Sequence, residues 1–255
     1  MKKIVAYTCI TGGYDSLQSP ACVDPAFEYI VFSPRKIDCH PWQWRPLQNV
    51  EANDTLTARW HKLNPHLLFP ESDYSLWLDG NLALRDGAVY EIVKAKIRDG
   101  IKYAAIPHPA GGDAYDEALR ILHTDKESLG RLARVSSFLK RSGFPRGESL
   151  FETNVLLRRH NDPAVLESDA LWWKMLSEFT VRDQMTHSYC LYKTAVRPIS
   201  LLPEGFSTRN FPSFGYIQHD KGKKWEKDLS AGGRLRDALR RAKEAVLKIH
   251  LKLLF

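Results

Sequence analysis

The sequence predicts an α/β domain with a largely parallel central sheet flanked by helices, and three observations carry that expectation. Short apolar segments of strand-like composition alternate along the chain with segments of helical periodicity, the order that a parallel sheet with helical crossovers requires. One apolar segment, Tyr74 to Leu78, stops abruptly on Asp79-Gly80-Asn81. Polar side chains emerging at a strand end are the arrangement by which open α/β sheets bind ligands. Finally, 255 residues, 44% of them hydrophobic, suffice for one large core, while no apolar run approaches the roughly 20 residues that cross a bilayer.

The elements follow in order. The start, Met1 to Tyr7, has too short an apolar run for a signal peptide and meets Gly12-Gly13-Tyr14-Asp15 instead of a small-residue cleavage site. It reads as the first strand, over residues 3–10. A second strand, 27–33, is rich in aromatic and β-branched residues and bounded by turn residues. Residues 54–69 read as a helix through the spacing of Leu56, Trp60, Leu63 and Leu67. On it Arg59 and Lys62 share one side, with Trp60 and Leu63 turned to the core. The strand 74–79 follows, then a helix near 87–98, a strand at 103–107 and two helical stretches within 113–142. A strand at 152–158, helices at 163–179 and 182–193 and a strand at 196–202 complete the pattern. Residues 203–229 read as irregular and 234–254 as a long basic amphipathic helix. The expected division is one domain over 1–229 with the helix of 230–255 appended.

The charge is uneven. The chain carries +7 overall, but the tail holds Arg234, Arg236, Arg240, Arg241, Lys243, Lys248 and Lys252 against Asp237 and Glu244. That segment is +5, so residues 1–229 are only +2. Within the tail, Leu235, Leu239, Ala242, Val246, Ile249 and Leu253 form an apolar stripe, widened by Leu247, Leu251, Leu254 and Phe255. This suits a helix lying at an anionic membrane surface, so the expectation is a cytoplasmic protein held peripherally at the inner face of the membrane. With no aromatic interleaving beyond Phe255, nucleic acid is not expected as a partner. Cys9, Cys22, Cys39 and Cys190 show no C-x-x-C pairing, which fits a reducing cytoplasm and gives no zinc site.

Six constellations bear on chemistry. Asp79 and Asn81 flank Gly80, a spacing that can hold a divalent cation while the glycine lets a phosphate approach the backbone. Thr8-Cys9-Ile10-Thr11-Gly12-Gly13-Tyr14-Asp15 places small and hydroxyl residues beside paired glycines. There a base or ribose can pack closely, with Tyr14 stacking and Asp15 accepting an N–H. Neither G-x-G-x-x-G nor a P-loop motif is present, so dinucleotide and P-loop chemistry lose support. Arg59 and Lys62 lie close enough in sequence to help neutralise a diphosphate. Polar Glu152, Thr153 and Asn154 interrupt an apolar strand, where burial requires partners such as sugar hydroxyls. Arg182-Asp183-Gln184 sets a carboxylate and an amide at a helix start, a position that also suits a cap. Last, Gly215 to Trp225 embeds His219, Gly222 and Lys224 in a short basic run that combines a metal ligand with a phosphate-accommodating loop.

Taken together, T-G-G-Y-D, R-x-x-K-x-x-P-H-x-x-F-P, S-x-W-x-D-G-N, W-W and R-D-Q resemble the glycosyltransferase-like family of domain of unknown function 616, over roughly residues 4–220. More distantly the chain is similar to glycosyltransferase family 8. The resemblance implies a GT-A-type single domain using Mn²⁺ or Mg²⁺. It implies Asp79, Asn81 and His219 as metal ligands, Gly222 and Lys224 at the diphosphate, and Asp183 and Gln184 near the reacting sugar. The donor site would include Thr8, Thr11, Gly12, Tyr14, Asp15, Arg59, Lys62, Asp79, Gly80 and Asn154. Three positions depart from family 8: Asn81 is neutral where a carboxylate is usual, Glu152-Thr153 replaces an Asn-x pair, and Lys224-Trp225 lacks a proline. The expected activity is transfer of a sugar from a nucleotide-diphosphate donor, UDP-linked, to a glycan or glycolipid acceptor in surface polysaccharide or lipopolysaccharide synthesis. A retaining enzyme would face Asp183 or Gln184 toward the oxocarbenium; an inverting one would use Asp183 or Glu152 as base. The alternatives are a non-catalytic carbohydrate-binding or scaffold protein with a degenerate site, and a nucleotidyltransferase. The latter needs more clustered carboxylates than D-G-N offers.

Overall fold

The structure, a computed structural model, describes residues 4–124, 126–217 and 231–255. In chain order its elements are β1 (Ile4–Cys9), β2 (Phe27–Phe32), β3 (Gln43–Arg45), α1 (Asp54–Leu63), α2 (Pro65–Leu68), β4 (Tyr74–Leu78), β5 (Leu82–Leu84) and α3 (Ala88–Arg98). They continue with β6 (Tyr103–Pro107), α4 (Ala114–His123), α5 (Leu129–Arg141), β7 (Phe151–Arg158), α6 (Pro163–Glu178), α7 (Asp183–Lys193), β8 (Ile199–Ser200), β9 (Phe214–Tyr216) and α8 (Ala231–Leu254).

Seven strands form one sheet in the order β3-β2-β1-β4-β7-β6-β8. All neighbours run parallel except β7, which is antiparallel to both β4 and β6. The fold is therefore α/β with a mostly parallel sheet, as the alternation of elements predicts. Both faces are covered, which explains why β1 and β4 are buried at every residue and carry unbroken apolar runs. On one face Val5, Tyr7, Trp77 and Leu156 pack with the helices α4 to α8. On the other, Ala6, Tyr29, Leu76 and Leu157 pack with Val89, Tyr90 and Val93 of α3.

Four departures from the sequence reading have physical causes. The helix expected over 54–69 divides at Asn64, which caps α1, because Pro65 cannot continue its hydrogen bonding. Its buried face is also different: Thr57, His61, Lys62 and Leu63 are inside, whereas Leu67 is exposed. A lysine in the buried face is not legible from hydrophobic spacing, since its nearest counter-charge, Asp183, is more than a hundred positions away. The strand expected over 196–202 shrinks to Ile199–Ser200, between Pro198 and Pro203, which cannot donate to a ladder. The chain nevertheless follows β6 a step further, with Leu201 N–H donating to the Ala105 carbonyl at 2.9 Å. Finally, β9 lies within the stretch read as irregular and pairs antiparallel with β5, directly after the Asp79-Gly80-Asn81 turn.

The appended helix docks on the domain. Leu247 and Leu251 are buried with the core, and Phe255 stacks edge-on against Tyr115 of α4 at 4.9 Å. Glu244 accepts from His123 Nδ1 at 2.8 Å, and His250 Nε2 meets Ser137 Oγ at 2.9 Å.

Candidate active site

The sheet topology decides where the polar residues gather. β1 and β4 are adjacent and parallel, so their carboxyl ends open on the same edge. β7 runs the other way and begins at that edge, which is why Glu152, Thr153 and Asn154 arrive there. Asp79 N–H donates to the Asn154 carbonyl at 2.8 Å, locking the two strand ends together. A cleft of about 480 Å³ opens above them. The loop after β1 supplies Thr11, Gly12, Tyr14 and Asp15, and α1 supplies Asp54, Thr55 and Arg59. Trp77, Asp79, Gly80 and Asn81 form another wall, and Lys126 and Arg182 complete the lining.

Two glycines make this geometry possible. Gly12 has φ +62°, in the left-handed region, and a Cβ there would run into the Asp54 carboxylate. Thr11 Oγ1 pins the same loop to the start of α1 by donating to the Asp54 carbonyl at 2.8 Å. At Gly80 a Cβ would sit 2.9 Å from Ile10 Cγ1 and 3.1 Å from Asp15 Oδ2, so glycine alone lets the turn abut the loop after β1.

Beneath the cleft lies a charged network. Lys62 is 0% exposed, and its Nζ donates to Asp183 Oδ2 at 2.7 Å and lies 3.6 Å from Asp79 Oδ1. Arg59 Nη1 lies 3.2 Å from the same Asp183 oxygen, and Thr153 Oγ1 donates to it at 3.0 Å. Trp77 Nε1–H donates to Asp79 Oδ1 at 2.7 Å, and Trp172 Nε1–H to the Asp183 carbonyl at 3.1 Å. The Lys62 ammonium lies against both indole rings, 5.5 Å and 5.7 Å from their centroids, where cation–π attraction offsets part of its desolvation. Burial alone would raise the Asp183 pKa, but Arg59 and Lys62 overcome it and hold the carboxyl well below the usual carboxylate range. Asp183 occupies the first turn of α7, and the N-cap is Arg182, which makes no side-chain capping bond. The carboxylate therefore serves the charged network more than the helix end, although Gln184 N–H does donate to its Oδ1 at 3.1 Å.

A second network surrounds the start of β7. Glu152 Oε2 accepts from Thr208 N–H at 3.1 Å and from Thr208 Oγ1 at 3.0 Å. Asn154 Nδ2 donates to Thr208 Oγ1 at 2.8 Å and to the Tyr216 hydroxyl at 2.6 Å, and Arg209 lies over the Tyr216 ring at 5.1 Å. Burial pushes the Glu152 carboxyl up, with the Thr208 bonds opposing. The two carboxylates thus differ in basicity: Asp183 is held ionised and accepts a proton poorly, whereas Glu152 is the stronger base.

Of the residues singled out in the sequence, the cleft gathers Thr11, Gly12, Tyr14, Asp15, Arg59, Asp79, Gly80 and Asn81. Lys62 and Thr8 are placed under it, buried, and Lys62 meets Asp183 where a diphosphate contact was expected. Asp183, Glu152 and Asn154 do not line the cleft and belong to the networks above, joined to it through Arg59, Lys62 and the Asp79–Asn154 backbone bond. Half-buried Gln184 follows Asp183. His219, Gly222 and Lys224 lie outside the described residues. The chain reaches that stretch at Ile217, whose N–H donates to the Asn81 carbonyl at 2.9 Å. As a cation site, the Asp79 carboxylate and Asn81 amide offer the oxygen donors that a hard divalent ion takes. Among the described residues no group of three or more His, Cys, Asp or Glu converges to complete the set.

The sequence reading missed Lys126, Arg182, Thr208 and Tyr216. Arg182 stood in view as the first residue of R-D-Q, but its approach to the cleft depends on how α7 docks. Lys126 carries no motif at all. Thr208 sits in a stretch without periodicity, and Tyr216 was visible only as part of the run beginning at Gly215.

A family model described as TOD1/MUCI70, glycosyltransferase-like domain, matches residues 44–209. The match spans α1, the Asp79-Gly80-Asn81 turn, the polar start of β7, Asp183 and Thr208. It leaves out the loop after β1 and α8. It supports neither the relation to glycosyltransferase family 8 nor the 616 designation specifically. No curated protein matches the chain.

Proposed function

The chain belongs to the TOD1/MUCI70 glycosyltransferase-like family, and from that premise we propose that it transfers a sugar from a nucleotide-diphosphate donor, UDP-linked, to a glycan or glycolipid acceptor. One observation carries the reading: a single cleft at the carboxyl ends of β1 and β4 is lined by the cations Arg59, Lys126 and Arg182 together with the Asp79-Gly80-Asn81 turn. A diphosphate needs cations and close backbone approach, and both are present. The loop Thr11 to Asp15 is the surface for the nucleoside, with Tyr14, 48% exposed, the ring that would stack on a base.

Asp79 and Asn81 would hold Mn²⁺ or Mg²⁺ together with His219. The metal, when bound, screens the charge of the departing diphosphate. Arg59, Lys126 and Arg182, which line the same cleft, would act on the same charge. In a retaining reaction Asp183, held ionised by Lys62, Arg59 and Thr153, would be the carboxylate that faces the developing oxocarbenium. Should the reaction invert, Glu152 is the better proton acceptor. The acceptor chemistry, in surface polysaccharide or lipopolysaccharide synthesis, remains part of this proposal.

Calorimetry with UDP and a panel of UDP-sugars, in Mn²⁺ and in chelator, tests it. Nucleoside diphosphate should bind, Arg182→Ala should weaken it about tenfold through the lost charge-assisted contact, and Asp79→Ala should remove the metal dependence. Donor hydrolysis measured beside binding separates an enzyme from a binding protein that has kept the fold. Absence of nucleotide binding with and without metal would refute the reading.

A further inference from the structure

Docking of α8 splits its apolar residues into two faces that the sequence reading had merged. Leu247 and Leu251 turn inward, and Phe255 meets Tyr115. Leu235, Leu239, Val246, Ile249 and Leu253 stay outside at 53–82% exposure, although spacings of three and four residues align them on one stripe. Five large aliphatic side chains in a row on a helix whose other face is already satisfied is more than scattered surface hydrophobicity.

Cations flank the stripe on both sides. Arg241, Lys248 and Lys252 share one flank by their spacing, and Arg236 and Lys243 share the other. On the first flank a groove of about 360 Å³ lies between α8 and α4. There Lys248 and Lys252 meet Arg146 over a floor of Leu119 and Leu251, and Asp116 is paired to Arg146 at 2.8 Å. The helix has two acids. Glu244 accepts from His123, and Asp237 pairs with Arg240 at 3.0 Å. The face offered outward is therefore apolar in the centre and positive at both edges.

We propose that this face of α8 is a docking surface for an anionic membrane, the stripe entering the headgroup boundary and the flanking lysines and arginines meeting lipid phosphates. Charge selects this occupant over a second copy of the chain. Pairing two such helices would set +5 against +5 along the seam, whereas an anionic leaflet complements every flanking residue. The surface lies outside the family-matched segment and does not depend on sugar transfer.

The test is sedimentation of the full chain with vesicles, no nucleotide sugar being present. Vesicles of phosphatidylcholine alone are compared with vesicles holding roughly a third phosphatidylglycerol. Binding should be confined to the anionic vesicles and fall about tenfold between low and high salt. A Leu239→Ser/Val246→Ser/Ile249→Ser/Leu253→Ser chain, altered only at exposed positions, should keep its far-ultraviolet spectrum and lose at least tenfold in partitioning. Arg241→Gln/Lys248→Gln/Lys252→Gln should lose at least as much. Failure of the unaltered chain to bind anionic vesicles at low salt overturns the proposal, as does equal binding by the stripe variant. A dimer in sedimentation velocity that the stripe variant dissolves, without vesicle binding, assigns the face to a second copy instead.

Discussion

Replacing Lys62 by Met removes a buried ammonium and leaves Asp183 with Arg59 as its remaining cationic partner within ion-pair distance. The side chains are similar in length, so packing against Trp77 and Trp172 is kept and the change is mainly electrostatic. Breaking a buried ion pair by removing one partner costs about 3–5 kcal/mol. Here the low end applies, because Asp183 keeps Arg59 at 3.2 Å and the Thr153 hydroxyl at 3.0 Å. A loss of about 3 kcal/mol lowers Tm by roughly 6–12 °C in a protein of this size. The companion variant is Lys62→Met/Asp183→Asn, in which neither charge is left unpaired by the other. It should recover to within about 1–2 kcal/mol of the native protein, a coupling readable from a double-mutant cycle in urea. A single variant that loses less than about 1 kcal/mol, or a double variant as unstable as the sum of the singles, would refute the pairing as the central brace of the site.

Other expectations follow from the same geometry. Asp183→Asn should lower Tm by an amount that is constant above about pH 5, because the native carboxyl is held below its unfolded value of about 3.9 and its stabilisation is fully present above that value. The gap between native and variant should shrink only as pH falls below about 4; closure between pH 7 and 5 would contradict the assignment. Gly12→Ala, forced into a left-handed backbone against the Asp54 carboxylate, should cost at least about 1–2 kcal/mol. It should also impair nucleotide binding, read by thermal shift with and without UDP. Thr208→Val strips Glu152 of one hydrogen bond and should destabilise by about 1–3 kcal/mol in urea titration. Carbon-13 NMR should show the Glu152 carboxyl titrating still higher.

The parts of this molecule that could be read from the chain are those governed by neighbours in sequence. Buried strands such as β4 announce themselves by unbroken apolar runs, and α1 by the three- and four-residue spacing of Leu56, Trp60 and Leu63. The Asp79-Gly80-Asn81 turn was visible because it interrupts such a run. What escaped was decided by tertiary partners. Lys62 had the look of a solvated helix face, since nothing near it in sequence discloses Asp183, 2.7 Å away in space. β3, β5 and β9 are three residues each, too short for a period of two to register. Thr208 and Tyr216 became interpretable only through the side chains of Glu152 and Asn154. The tail shows the same limit in another form: its stripe was legible, but the division into a docked and an outward face depends on α4 and α5.

The pairing of β5 with β9 has a consequence for biosynthesis. Asn81 leaves the ribosome over a hundred residues before Ile217, yet the carbonyl of one and the N–H of the other close the turn that carries Asp79. Because translation adds about 5–20 residues per second, a nascent chain spends several seconds with most of its sheet synthesised and this turn still unbraced. The chronology of synthesis thus leaves the Asp79 turn unbraced in any fragment that ends upstream of β9.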